Sequence, residues 1–169
     1  MKIPIKIILT GGTIDSHFDH ISESIQVNDK DAIKDYLDSL KLHIDISYQS
    51  VCKKDSRDLN EEDRAKILQA IIESSNSLFL ITHGTYTMPD TAKFLQKNID
   101  KLANKVVLLV GSMKPLKDFI DSDAQFNLGF AIASLLNLQP GVYIAMNGEV
   151  FHSNNVYKDI EKGEFKTLQ

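Results

Sequence analysis

Short runs of β-branched and other apolar residues alternate with longer amphipathic stretches about five times along this chain, and that alternation constrains its fold more than any other feature. Residues 3–9, 43–51, 78–82, 106–110 and 141–146 read as strands, and residues 29–40, 60–74, 87–97 and 123–136 as helices. Asn28 or Asp29 is available to cap the first helix, and Pro89 is tolerated in the first turn of the third. Glu61, Glu62 and Asp63 open the second, where acids suit the positive end of the helix dipole. The run 106–110, Val-Val-Leu-Leu-Val, is the most apolar strand, as a strand covered on both faces requires. Asn147-Gly148 marks a hairpin turn, after which residues 149–151 pair back as an antiparallel edge. Residues 158–169 are charged and only loosely patterned. The pattern predicts an α/β fold, a three-layer sandwich with a mostly parallel sheet, as one domain over residues 1–169.

In such sheets ligands bind beyond the carboxyl ends of the strands, at the topological switch point. Residues 10–16, 53–58, 83–87 and 111–123 all follow predicted strands, so these four segments are expected to converge on one edge. A net charge of -4 with no Lys/Arg-rich run excludes a broad nucleic-acid surface and leaves a small molecule as the expected partner. A single cysteine, Cys52, permits no intrachain disulfide and favours a reducing compartment. The apolar start is interrupted by Lys2 and Lys6 and is too short for a signal-peptide core or a membrane span. A cytoplasmic protein without membrane contact is therefore expected. The five histidines are scattered and Cys52 has no spaced partner, so the sequence carries no metal signature and implies no cofactor. Gly11-Gly12 fits neither dinucleotide nor phosphate-loop spacing.

Two segments concentrate the chemistry. Ile7-Ile8-Leu9-Thr10-Gly11-Gly12-Thr13-Ile14 ends a strand in a paired-glycine turn with a hydroxyl just beyond it. Thr82-His83-Gly84-Thr85-Tyr86-Thr87-Met88 sets hydroxyls and a histidine around a glycine ahead of a helix, whose N-terminus favours anions. Read plainly, Thr85 or Thr87 caps that helix and His83 is a hydrogen-bonded core residue.

Together these segments resemble the bacterial-type L-asparaginase family, with its Thr-Gly-Gly-Thr-Ile and His-Gly-Thr-Asp-Thr-Met turns. Lys54-Asp55-Ser56-Arg57-Asp58 is similar to that family's Ser-x-Asp loop, and Gly111-Ser112-Met113-Lys114-Pro115 to its Gly-Ala-Met-Arg-Pro segment. Asp121-Ser122-Asp123-Ala124-Gln125-Phe126-Asn127-Leu128 and 141–150 continue the likeness, and Lys158 falls where the family has a catalytic lysine. The resemblance implies hydrolysis of L-asparagine to L-aspartate and ammonia through an acyl-enzyme on Thr13. Thr85 and Lys158 would handle the protons, and Gly12, Asp55, Ser56, Gly84 and Tyr86 would line the substrate site, with Ser56 on the α-carboxylate. Backbone N–H groups around Gly84 and Thr85 are the candidate oxyanion donors. Met88, Met113 and Met146 read as packing, and Asn127 as a tie to a neighbouring loop.

Three departures qualify the transfer. Tyr86 stands where the family has an aspartate for the substrate ammonium, and tyrosine carries no charge at neutral pH. Asp15, Asp58 or an acid within 118–123 is the candidate substitute. The family's tyrosine in the mobile segment after the nucleophile is missing; His17, Phe18 and His20 stand there, and the Tyr86 hydroxyl is a candidate replacement. Typical members also carry a second, smaller domain that completes a neighbouring subunit's site, so this chain resembles a short form, expected as a homodimer or higher homo-oligomer. The departures leave two alternatives beside asparagine hydrolysis: an amidase for a related amide lacking the α-amine, and a non-catalytic protein binding asparagine or aspartate.

Overall fold

The structure, a computed structural model, describes residues 2–28, 31–102 and 104–168. The elements run β1 (Pro4–Gly11), β2 (Ser16–Asp19), β3 (Ser24–Val27), α1 (Ala32–Ser39), β4 (Asp45–Lys54), α2 (Glu61–Ile72) and β5 (Leu78–Thr82). They continue through α3 (Met88–Lys97), β6 (Val106–Val110), α4 (Ala124–Leu135), β7 (Gly141–Met146), β8 (Glu149–His152), β9 (Tyr157–Asp159) and β10 (Glu164–Lys166). Six strands form the main sheet in the order β4-β1-β5-β6-β7-β8. The first five are parallel and β8 closes the edge antiparallel to β7, as the Asn147-Gly148 turn predicts.

The period of the strands builds the three layers. Alternate residues point to opposite faces, so Phe79, Ile81, Val107, Leu109, Val142 and Ile144 meet α2 and α3 on one side. Ile5, Ile7, Leu80, Leu108 and Val110 meet α1 and α4 on the other. β6 is buried along its whole length, which explains its lack of polar residues. A capping box starts α2: Asn60 Oδ1 accepts from the Asp63 N–H (3.0 Å) and Asp63 Oδ2 from the Asn60 N–H (3.1 Å).

Two expectations need correction, and one segment with no expected element gains one. The segment after Thr13 is a β-hairpin, β2 with β3, held at its turn by Asp19, whose carboxylate accepts from Ile21 N, Ser22 N and Ser22 Oγ. The tail is also a hairpin, β9 with β10. It docks because Val156 and Phe165 are buried in the α2/α3 side of the core, and Ser153 Oγ lies 3.1 Å from Gln96 Oε1 of α3. Finally, α1 starts at Ala32 behind Asp31, and Asp29 lies outside the described residues.

Candidate active site

The chain passes from β1 to β4 on one side of it and then to β5 on the other, so the switch point falls between β1 and β5. Both strands end in the segments singled out above. At their ends Thr10 Oγ1 donates to Thr82 O (2.8 Å) and the His83 N–H to Val110 O (2.9 Å), carrying the two loops beyond the sheet in step.

The paired glycines have separate reasons. Gly11 (φ +89°) lies against β4: a Cβ there would stand 2.6 Å from Lys54 N. Gly12 (φ 78°, ψ 176°) lies against the other loop: a Cβ there would stand 2.3 Å from Gly84 N and 2.5 Å from Gly84 Cα. Only glycine combines that backbone region with that approach. Gly12 then starts the 3₁₀ turn Thr13–Asp15, its carbonyl accepting from the Asp15 N–H (3.1 Å) and Ser16 Oγ (2.8 Å). Gly84 repeats the device, since a Cβ there would lie 2.6 Å from Ser56 Oγ. Backbone contacts thus join the residues just before Thr13 and Thr85 to each other and to Ser56.

Thr13 opens on a cleft of about 510 Å³, lined also by Ser16, by Ile25, Gln26 and Val27 of β3, and by Lys53, Lys54, Asp55, Arg57 and Asp58. Each cation there has a carboxylate: Lys53 pairs with Asp31 (3.0 Å), Lys54 with Asp63 (2.7 Å) and Arg57 with Asp55 (2.9 Å). Asp55 also accepts from the Arg57 N–H (2.9 Å), and the Arg57 hydrogen bonds hold its carboxyl below the usual range against partial burial.

Thr85 is buried, and Lys158 Nζ donates to its Oγ1 at 2.7 Å. Lys158 sits in β9 directly opposite Phe165 of β10, and burial draws its pKa below the ordinary lysine value with no charged neighbour contributing. The structure therefore brings together the second threonine and the lysine that the sequence singled out. Ser56 is buried beneath Gly84, its hydroxyl accepting from the Thr87 N–H (3.4 Å) while Thr87 Oγ1 donates to Ser56 O (2.6 Å). Thr87 stands at the cap position of α3 but spends its hydroxyl on Ser56, so neither threonine caps the helix through its side chain.

Among the candidate substitutes for the missing aspartate, only Asp58 faces this cleft. Asp15 is fully buried, with Oδ1 accepting from the Ala32 N–H (3.0 Å). Asp118 accepts from Phe18 N, Asp121 pairs with Lys114, and Asp123 accepts from Met113 and Lys114 N–H groups. Tyr86 is 48% exposed, within electrostatic reach of Arg57, and its hydroxyl makes no hydrogen bond among the described residues. Arg57 and the β3 residues are the parts of the cleft that sequence reading missed. The hairpin's signal was the short alternation on either side of a polar 19–24 turn.

Fold and site define a doubly wound domain in which Thr13 opens on a cleft at the switch point and Thr85, on the loop that Gly12 touches at Gly84, pairs with Lys158; neither Thr85 nor Lys158 lines that cleft. The family model described as "Asparaginase, N-terminal" matches residues 4–166, and the chain belongs to that family. It is 32% identical over 162 residues to the probable periplasmic L-asparaginase of Haemophilus influenzae, covering 91% of this chain and 46% of that protein. The solved thermostable L-asparaginase of Thermococcus kodakarensis superposes with a TM-score of 0.84 at 26% identity, over 98% of this chain and 51% of that one. The probable cytoplasmic L-asparaginase of Campylobacter jejuni superposes with a TM-score of 0.76 at 28% identity, over 93% and 48% respectively. The chain spans about half the length of the relatives it matches. No helix of the described residues is long and apolar enough to cross a membrane.

Proposed function

We propose that this chain hydrolyses the side-chain amide of L-asparagine to L-aspartate and ammonia, with Thr13 as nucleophile. The observation that carries the reading is the 2.7 Å contact between Lys158 Nζ and Thr85 Oγ1, with Lys158 desolvated enough to lose its proton more readily than a surface lysine. In its neutral form Lys158 accepts a proton through Thr85 as Thr13 Oγ1 attacks the amide carbon. The tetrahedral oxyanion then collapses, the C–N bond breaks, and the same proton leaves with the amine as ammonia. Water attacks the resulting ester, gives one proton back through Thr85, and the acid is released with Thr13 restored. Gly12, Gly84 and Ser56 form the wall behind the reacting groups, with Ser56 toward the substrate's α-carboxylate and Asp55 holding Arg57 at the rim. A homodimer in the cytoplasm completes the reading.

A second reading has its own observation. Tyr86 puts a half-exposed phenol, in place of a carboxylate, next to Thr85, which favours an amide without an α-ammonium. Ammonia release from L-asparagine, L-glutamine, D-asparagine and succinamate, by the protein and by Thr13→Ala, separates these. Turnover of L-asparagine that disappears in the variant is expected. Activity confined to succinamate supports the amine-free amidase. Binding of asparagine without ammonia release overturns both in favour of a binding protein.

A further inference from the structure

The Thr85 hydroxyl has one hydrogen and two polar neighbours, and these divide its roles. A charged Lys158 Nζ has only hydrogens to offer, so toward it Thr85 Oγ1 presents a lone pair at 2.7 Å. Its own hydrogen then points to Met113 Sδ, 3.8 Å away, the other hydrogen-bonding neighbour of this hydroxyl among the described residues. The fold holds Met113 in place from three directions. Its N–H donates to both carboxylate oxygens of Asp123 (3.1 and 2.9 Å), and the Lys114 N–H donates to Asp123 Oδ1 (3.0 Å). Asn127 Nδ2 donates to Asp123 Oδ2 and to Gly111 O, both at 3.0 Å, while Asn127 Oδ1 accepts from the Asn147 N–H (3.1 Å). At Gly111 a Cβ would stand 2.5 Å from His83 O and 3.1 Å from Thr85 Cγ2, so glycine is what lets this loop lie close to Thr85.

We propose that Met113 is a positioning residue of this site: its sulfur is the resting acceptor of the Thr85 hydroxyl hydrogen and keeps the Thr85 lone pair turned to Lys158. A thioether is a weak acceptor, and that suits the task. When Lys158 loses its proton, the Thr85 O–H swings to donate to the Nζ lone pair, and a sulfur releases it more readily than a carbonyl oxygen does. Met113 thereby favours the ammonium form of Lys158 by the strength of one weak hydrogen bond. Among the described residues, the groups shown to face Lys158 are uncharged: Thr85 from the loop after β5 and Phe165 from β10. The other charged residues of the two strands of its hairpin, Asp159, Glu164 and Lys166, occupy the neighbouring pleat positions and pair with one another, while Glu161 and Lys162 lie in the turn beyond.

The inference rests on the Thr85–Lys158 pairing of the proposed function, but its test does not need turnover. The titration of Lys158 is followed by the ¹³Cε resonance of lysine-labelled protein, assigned with Lys158→Met. In Met113→Leu, which keeps the volume and removes the acceptor, the midpoint is expected to fall by about half a pH unit. In Met113→Gln, whose amide oxygen accepts more strongly, it is expected to rise. A Leu variant that stays folded and titrates with the parent overturns the proposal, as does a Gln variant that titrates below the parent. If the parent releases ammonia, the acid limb of its kcat/KM profile follows the same two shifts. Shifts in the resonance without any ammonia release sink the proposed function and uphold the role of Met113.

Discussion

Acidification from pH 7 to pH 4 tests the histidine beneath the site. His83 is fully buried, and burial pushes its pKa down to about 4 despite the opposing hydrogen bond to Gly84 O. Its tautomer follows from its neighbours. Arg64 Nε donates to Thr91 Oγ1 (3.1 Å), so the single Thr91 hydrogen is free to go to His83 Nε2 (2.9 Å). His83 Nδ1 then carries the proton and donates to Gly84 O at 2.7 Å. A second proton would have to sit on Nε2, facing a hydroxyl already committed as donor to it and accepting from a guanidinium. The imidazole therefore stays neutral in the folded protein while the unfolded chain protonates near 6.5.

The sign follows from proton counting. Between pH 6.5 and about 4 the unfolded state binds the extra proton, so stability falls as pH falls, by about 1.4 kcal/mol per unit and about 3 kcal/mol in all. That is a large share of a typical total of about 5–15 kcal/mol. The assay is urea unfolding at a series of pH values for the parent and for His83→Asn, whose amide N–H can still donate to Gly84 O. Asp15 acts in the opposite direction, because burial raises its pKa and the folded state then holds the proton longer. It is present in both proteins and cancels in the comparison. The variant is expected to be less stable at pH 7 but to lose less on acidification. Parallel pH dependences for the two would refute the reasoning and place the charge of His83 inside the fold.

Gly12→Ala is expected to lose about 1–3 kcal/mol from its backbone conformation alone, and its Cβ must also push the Gly84 loop away, so unfolding midpoint and ammonia release should fall together. An unchanged midpoint would show that the two loops are not in contact. Asp63→Asn weakens the Lys54 ion pair and the capping box, and should lose about 1–2 kcal/mol in urea unfolding at neutral pH. Asp63 has its pKa raised by burial but lowered further by Lys54 and the Asn60 N–H, so this stability is present above the unfolded value near 3.8 and is lost as pH falls through the lower folded value. The deficit of the variant should accordingly shrink in acid.

The central elements were legible because each strand and helix carries its own pattern over a whole turn or more. Residues 78–82 and 106–110 are strands end to end, since apolar runs of five residues are too short for a buried helix and fit a strand covered on both faces. The two hairpins were not legible. β9 and β10 have three residues each, and the only apolar anchors of that tail are Val156 and Phe165, which matter solely because the α2/α3 core receives them. At the site, Thr13, Thr85 and Lys158 were readable as a resemblance, but the partners of Thr87 and Asp15 were not. Thr87 reaches Ser56 across 31 positions, and Asp15 reaches the first residue of α1. No local pattern encodes either contact.

The skeleton of the site is made of backbone approaches more than side-chain contacts. Gly11 lies on Lys54, Gly12 on Gly84, Gly84 on Ser56 and Gly111 on His83. These four contacts lock together the loops that follow β1, β4, β5 and β6, and three of them are made to backbone atoms, the fourth to the Ser56 side chain. Tyr86 and Arg57 sit outside that lattice, exposed at its rim. Exchanging a carboxylate for a phenol at residue 86 therefore changes the charge offered to a ligand while leaving Thr13 and Thr85 where the glycines hold them and Lys158 where Val156 and Phe165 anchor its hairpin. Loss of the aspartate and survival of the threonine–lysine pair are compatible for this reason, and substrate charge is the property on which this chain is free to differ from its relatives.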